Sequence, residues 1–148
     1  MKFLILHGTA NSGKTECVKR FCDYLKLNGW EGEAEKLGND IRIVLKKKIN
    51  GTEKHVILCS GSDTEDILRE NKRFVEKNNP CDILVLAQRL DDPLNKIFEK
   101  YFPFVESDRV LIVPMAHISG RYNDCLNMLQ RYKDEIDKLT QKLFFELI

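Results

Sequence analysis

Residues 8–15 read Gly-Thr-Ala-Asn-Ser-Gly-Lys-Thr, a Gly-x-x-x-x-Gly-Lys-Thr spacing. The chemistry this spacing serves is the cradling of a phosphate chain. Gly8 and Gly13 free the backbone to curl, so that the N–H groups of Thr9, Ala10, Asn11, Ser12 and Gly13 converge on one spot as an anion nest. A helix starting at the end of the loop would add its positive pole at the same spot. Lys14 is then expected to reach the β- and γ-phosphates, and the Thr15 hydroxyl to be a ligand of Mg²⁺. The competing reading is a glycine-rich turn with an exposed lysine. It gives no reason for the apolar run Phe3-Leu4-Ile5-Leu6 before the loop or the helical pattern after it.

Further residues able to do chemistry follow other apolar runs. Asp63 comes just after Val56-Ile57-Leu58-Cys59, at the carboxyl end of a strand, where open α/β sheets gather their ligands. It is read as an acidic group for Mg²⁺ or its water shell, within reach of the loop if its strand neighbours the first. The alternative is that Asp63 or Thr64 caps the next helix, and one residue could serve both ends. Arg89, after Ile83–Ala87, could offset charge on a transferring phosphoryl group, and Asp91 or Asp92 could orient a nucleophile or a metal-bound water. The favoured reading of Asp91-Asp92-Pro93 is a helix cap with proline in the first turn. Arg121 follows the last strand and could reach a base or phosphate; His117 nearby reads as structural. Asp82 resembles the acidic residue of a Walker B strand, but it begins its strand and so belongs at the edge away from the loop.

These residues need elements to hold them. Lys2–His7 reads as a central strand covered on both faces. Gly13–Leu27 reads as a helix, with Cys17, Val18, Phe21, Cys22 and Leu25 on one face. Residues 30–40 are polar, with a short edge strand expected around Glu33–Leu37; Trp30 could be a base-stacking platform, and the favoured reading is that it caps a core edge. Ile41–Ile49 and Lys54–Ser60, joined through Asn50-Gly51, predict an antiparallel hairpin. Lys46-Lys47-Lys48 suits a protected sheet edge. Helices are expected over Thr64–Lys77, over the segment carrying Leu94, Ile97, Phe98, Tyr101 and Phe102, and over Tyr122–Ile148. Strands are expected over Ile83–Ala87 and Arg109–Val113, the latter closed by Pro114. Phe144, Phe145 and Ile148 either pack back on the sheet or meet a second subunit in a homodimer.

The chain has 148 residues, 43% hydrophobic and 32% charged, with Lys+Arg and Asp+Glu nearly cancelling to a net charge of +1. That predicts one globular domain over 1–148 and leaves no global basic field of the kind that recruits nucleic acid. No apolar run approaches the ~20 residues of a membrane span, and no secretory signal is legible. The five cysteines (17, 22, 59, 81 and 125) include no Cys-x-x-Cys pair. They read as buried free thiols of a reducing, cytoplasmic protein rather than a zinc site.

In element order, with the loop Gly8–Thr15 as the matching motif, the chain resembles the P-loop NTPase superfamily. The hairpin after the first helix is similar to the small GTPase arrangement. The resemblance implies an α/β, three-layer P-loop fold: a mostly parallel central sheet, an antiparallel hairpin at about 41–60, and flanking helices. It also implies phosphate contacts from the loop backbone and Lys14, with Mg²⁺ on Thr15. The chain departs from small GTPases in two places. Asp63-Thr64-Glu65-Asp66 lacks the glycine of Asp-x-x-Gly, and Val113–His117 has nothing like the guanine-reading Asn-Lys-x-Asp. ATP is therefore the expected nucleotide. The leading expectation is a protein that binds ATP with Mg²⁺ and hydrolyses it slowly, with Lys14, Asp63 and Arg89 as catalytic residues. The alternatives are a phosphotransferase acting on a small-molecule or nucleotide acceptor, and a nucleotide-binding module without turnover.

Overall fold

The computed structural model describes residues 1–117 and 123–148, with side chains in the last helix from residue 127 onward. Arg121 lies outside the described residues. The elements run β1 (Lys2–Gly8), α1 (Lys14–Leu27), β2 (Ala34–Leu37), β3 (Asp40–Ile49), β4 (Thr52–Cys59), α2 (Glu65–Lys77), β5 (Ile83–Arg89), α3 (Leu94–Tyr101), β6 (Arg109–Met115) and α4 (Asn123–Leu147).

The six strands form one mixed sheet in the order β2-β3-β4-β5-β1-β6. β4, β5, β1 and β6 are parallel neighbours, while β3 runs antiparallel to both β2 and β4. The hairpin turns where expected: Asn50 (φ 49°) and Gly51 (φ 82°) both sit in the left-handed region, as a tight turn matching the strand twist requires. β4 does not neighbour β1, however; β5 intervenes. The strand whose end flanks the Gly8–Thr15 loop is thus the one ending in Gln88 and Arg89, in register with His7 and Gly8.

Alternation along the strands divides the core into two layers. Leu4, Leu6, Ile43, Leu45, Leu58, Val85 and Val113 pack against α1 and α4. Phe3, Ile5, Ile57, Cys59, Leu84 and Leu86 pack against α2 and α3 through Leu68, Val75, Phe98 and Phe102. Trp30 is buried at the rim of the first layer, edge-on to Phe144 at 5.9 Å between centroids. Gly32 follows because a Cβ there would lie 2.1 Å from the Val44 carbonyl oxygen; the polar stretch crosses the hairpin at backbone distance. β6 runs past the expected stop at Val113 through Pro114 to Met115. It is an edge strand, and edges tolerate a residue with no N–H to give. Phe144 and Leu147 pack back onto the sheet, whereas Phe145 and Ile148 are exposed. No described helix is long and apolar enough to cross a membrane.

Phe144 is fully buried and touches the rings of Phe21, Trp30 and Phe145. Phe144→Ala is expected to lower unfolding free energy by about 3–5 kcal/mol, and Phe145→Ala by less than about 1 kcal/mol. Urea denaturation of both variants measures this; equal losses would contradict the packing described.

Candidate functional site

β1 is paired on both sides and ends against a change of direction. The chain leaves β1 through α1 on one face of the sheet and leaves β5 through α3 on the other. A crevice therefore opens at the carboxyl ends of these neighbouring strands, the usual ligand position in open α/β sheets. The Gly8–Thr15 loop fills its floor. Asn11 (φ 57°) and Gly13 (φ 82°) are left-handed, the kind of backbone from which anion nests are made. Gly8 is required by space: a Cβ there would meet Ser12 Oγ at 2.6 Å and the Met115 carbonyl at 2.7 Å.

Lys14 is not exposed as the turn reading would have it. Its side chain folds back over the loop, and Nζ donates to the carbonyls of Thr9 (2.6 Å) and Gly8 (3.1 Å) and to Ser12 Oγ (3.3 Å). The residue is 7% exposed. Burial pulls its pKa below the ordinary lysine value, with Arg89 adding to the effect and Asp63 and Asp91 opposing it. His7, at the end of β1, is likewise held below the usual imidazole value, by burial first and by the charge of Lys14 second.

Thr15 reaches a partner that sequence reading did not assign. Its Oγ1 donates to Asp40 Oδ1 (3.2 Å) and to the Ser60 carbonyl (3.3 Å). Ser60 Oγ donates to the same Asp40 oxygen (3.2 Å) and accepts from the Ile41 N–H (2.9 Å). Asp40 opens β3, and an antiparallel strand begins at the edge where its parallel-running neighbours end. The signal was therefore present in the predicted hairpin, although Asp40 sits in its polar lead-in rather than in a motif. Behind it, a Cβ on Gly61 would lie 2.9 Å from Asp40 Oδ2. Asn71, buried in α2, holds the Gly61 carbonyl (2.9 Å) and takes the Arg42 Nε–H (2.7 Å).

Asp63 does not touch Thr15 directly. Together with Ala10–Glu16, Ser62 and Arg89 it lines a cavity of about 440 Å³ above the loop. Thr64 caps α2 by accepting from the Ile67 N–H (3.2 Å), which leaves Asp63 to face Arg89 Nη1 at 3.4 Å. Arg89 also binds Asp91 through Nε (3.0 Å) and Nη2; these contacts raise its pKa and depress that of Asp91. The favoured cap reading of Asp91-Asp92-Pro93 is corrected here. Pro93 occupies the cap position of α3 with no side-chain cap bond, Asp91 pairs with Arg89, and Asp92 faces Lys96 at 3.9 Å. The lone competitor elsewhere, Asp82, binds Lys54 (2.9 Å) and the His55 N–H (2.8 Å) at the opposite edge of the sheet.

On the far side of the loop a second cavity of about 230 Å³ runs between α1, the end of β6 and α4, lined by Asn11, Glu16, Met115, Leu129, Tyr132 and Ile136 among others. His117 Nδ1 lies 2.9 Å from the Asn11 carbonyl, so β6 and the loop are tied together. Cys17, Cys22 and Cys59 are buried free thiols and Cys81 is half-buried. Burial pushes Cys17 and Cys81 to about 11 and Cys59 to about 12, which keeps them protonated and inert.

Two outcomes test this geometry. An NMR titration should place the His7 midpoint below 6.5, and Lys14→Met should move it upward without restoring it fully, because burial is the larger cause. An unchanged midpoint would separate the two side chains. Asn71→Ala should cost about 1–3 kcal/mol in chemical denaturation, since the Gly61 carbonyl and Arg42 lose a buried partner together. Comparison with protein families, characterised proteins and solved structures produced no match to this chain.

Proposed function

We propose that the Gly8–Thr15 loop holds the phosphate chain of a nucleoside triphosphate, ATP by preference, and that the protein hydrolyses it slowly with Mg²⁺. The observation that carries this reading is Lys14: an ammonium group buried on its own loop's carbonyls, at the floor of an open cavity whose wall also carries the Arg89 cation. A lysine in that position gains from an anion in the cavity, which would replace the solvation it has lost.

The oxygens around Thr15 fit a hard cation. They are a hydroxyl, the Asp40 carboxylate and the Ser60 carbonyl, with Asp63 on the wall of the same cavity, and magnesium takes such oxygens while keeping several waters. Thr15 would be the direct ligand, and Asp40 and Asp63 would hold the water shell. When bound, the ion supplies neutralisation of charge on the phosphate oxygens. The chain's own part is positioning: the loop backbone orients the phosphates, and Lys14 and Arg89 offset charge as it develops on the transferring group. The cavity of about 230 Å³ beside Asn11, Met115 and Tyr132 is the place for the sugar and base. Preference for ATP rests on the absence of a guanine-reading Asn-Lys-x-Asp in Val113–His117.

Calorimetry of ATP and GTP binding with Mg²⁺, with product ADP or GDP followed in the same samples, tests the reading. Lys14→Ala should weaken binding about ten- to hundredfold, the worth of a charge-assisted contact. Asp40→Asn should weaken the Mg²⁺-dependent part by about tenfold or more. Affinity indifferent to Lys14, or no affinity for either nucleotide, would sink the proposal.

A further inference from the structure

A separate cavity of about 390 Å³ lies between one flank of α1 and the β2–β3 hairpin. Lys19, Cys22, Asp23 and Lys26 reach it from α1 at i, i+3, i+4 and i+7, one face of the helix. Ala34 and Lys36 reach it from β2, two residues apart and so on one side of the strand. Asp40 and Ile41 close its inner end. The hairpin lip turns at Gly38, whose φ of 62° needs glycine and whose missing Cβ would meet nothing.

Lysines come from both walls, Lys19 and Lys26 from α1 and Lys36 from β2, with one exposed carboxylate, Asp23, among them. Lys19 is paired with Glu16 at 3.6 Å, whereas Lys26 and Lys36 form no ion pair among the described residues. The inner end carries Asp40, already engaged with the Thr15 and Ser60 hydroxyls. Three lysines outnumber the one exposed carboxylate, Asp23, and the single half-buried carboxylate, Asp40, accepts hydrogen bonds further in; this suits a molecule with an acid group at one end and a hydroxyl at the other. The volume falls in the range of small-molecule sites. Asp40 is the shared wall: it belongs to this cavity and to the Thr15 cluster of the loop.

From this we infer that the cavity is a binding site for a small hydroxylated organic anion, its acid group on Lys26 and Lys36 and a hydroxyl toward Asp40. Binding itself stands on the cavity and its charges. Its role as a second ligand beside the phosphate chain rests on the nucleotide reading above. Through Asp40 the two ligands are linked, so each changes the other's affinity by one common factor.

The experiment is an NMR titration of the full chain, without nucleotide, against gluconate and glycerol 3-phosphate, each to about 20 mM, a range that captures weak binding. The expected result is saturable shifts of the Lys26, Gly38 and Asp40 amides with at least one probe; the responding probe separates a carboxylate from a phosphate monoester. Lys26→Glu with Lys36→Glu should weaken that binding about tenfold or more by reversing two charges at the mouth, while Lys14→Ala leaves it within about twofold. Those two lysines are exposed, so the double variant retains the fold, as an unchanged spectrum of the core amides would show. No saturable shift with either probe overturns the inference, as does binding that survives the charge reversal. ATP titration of the same samples, read at the Gly13–Thr15 amides, reports separately on the nucleotide site.

Discussion

The structure depends on the constraint placed on β1. It pairs in parallel with β5 on one side and β6 on the other, and its Leu4-Ile5-Leu6 centre is fully buried between two helical layers. A strand so enclosed has every backbone group spoken for, and its only exit is at its carboxyl end. The chain leaves there through a loop that must turn at once, against Met115 of β6, into the first helix. Gly8 is the residue that permits the turn, because any Cβ would strike Ser12 and the Met115 carbonyl. The burial of β1 and the shape of the loop are thus one fact seen from two ends.

Charge then collects where the strands end. Lys14 lies inside the loop, while Arg89 at the end of β5 stands between Asp63 and Asp91. Lys14 and Arg89 have been drawn partly out of water and depend on their neighbours more than they would on a flat surface, whereas the side chains of Asp63 and Asp91 stay exposed. The direction of the shifts follows: Lys14 and His7 lose basicity where burial dominates, and Asp91 gains acidity where the guanidinium dominates.

Asp40 ties this edge to the rest of the molecule. It accepts from Thr15 and Ser60, and behind it Gly61 and Asn71 carry the contact into the middle of α2. Asn71 in turn receives Arg42 from β3. Two hydrogen-bonded groups, Thr15–Asp40–Ser60 and Gly61–Asn71–Arg42, meet at the Ser60–Gly61 peptide and tie the hairpin, α2 and the loop after β1 together; such groups hold position because an unmade bond in them is expensive. A displacement of Ser60–Asp63 would be felt at Thr15, and the cavity beside Lys26 and Lys36 meets the same carboxylate.

Local chemistry decided what could be read along the chain. The glycine spacing of the loop, the apolar centres of β1, β4 and β5, the Asn50-Gly51 turn and the helical faces of α1 and α4 each depend on residues near one another. Their pattern survives without knowledge of the fold. So did the rejection of Asp82, since the direction of a parallel strand is enough to place its first residue at the far edge. The tertiary structure alone decided which strand lies beside β1, and with it that Arg89 rather than Asp63 stands at the neighbouring strand's end. It also released Asp91 from capping α3 by offering it a guanidinium, and it brought Asp40 to Thr15 across 25 residues of sequence. These are choices between partners of comparable local merit, and only the pairing of strands distant in the chain determines which partner comes within reach.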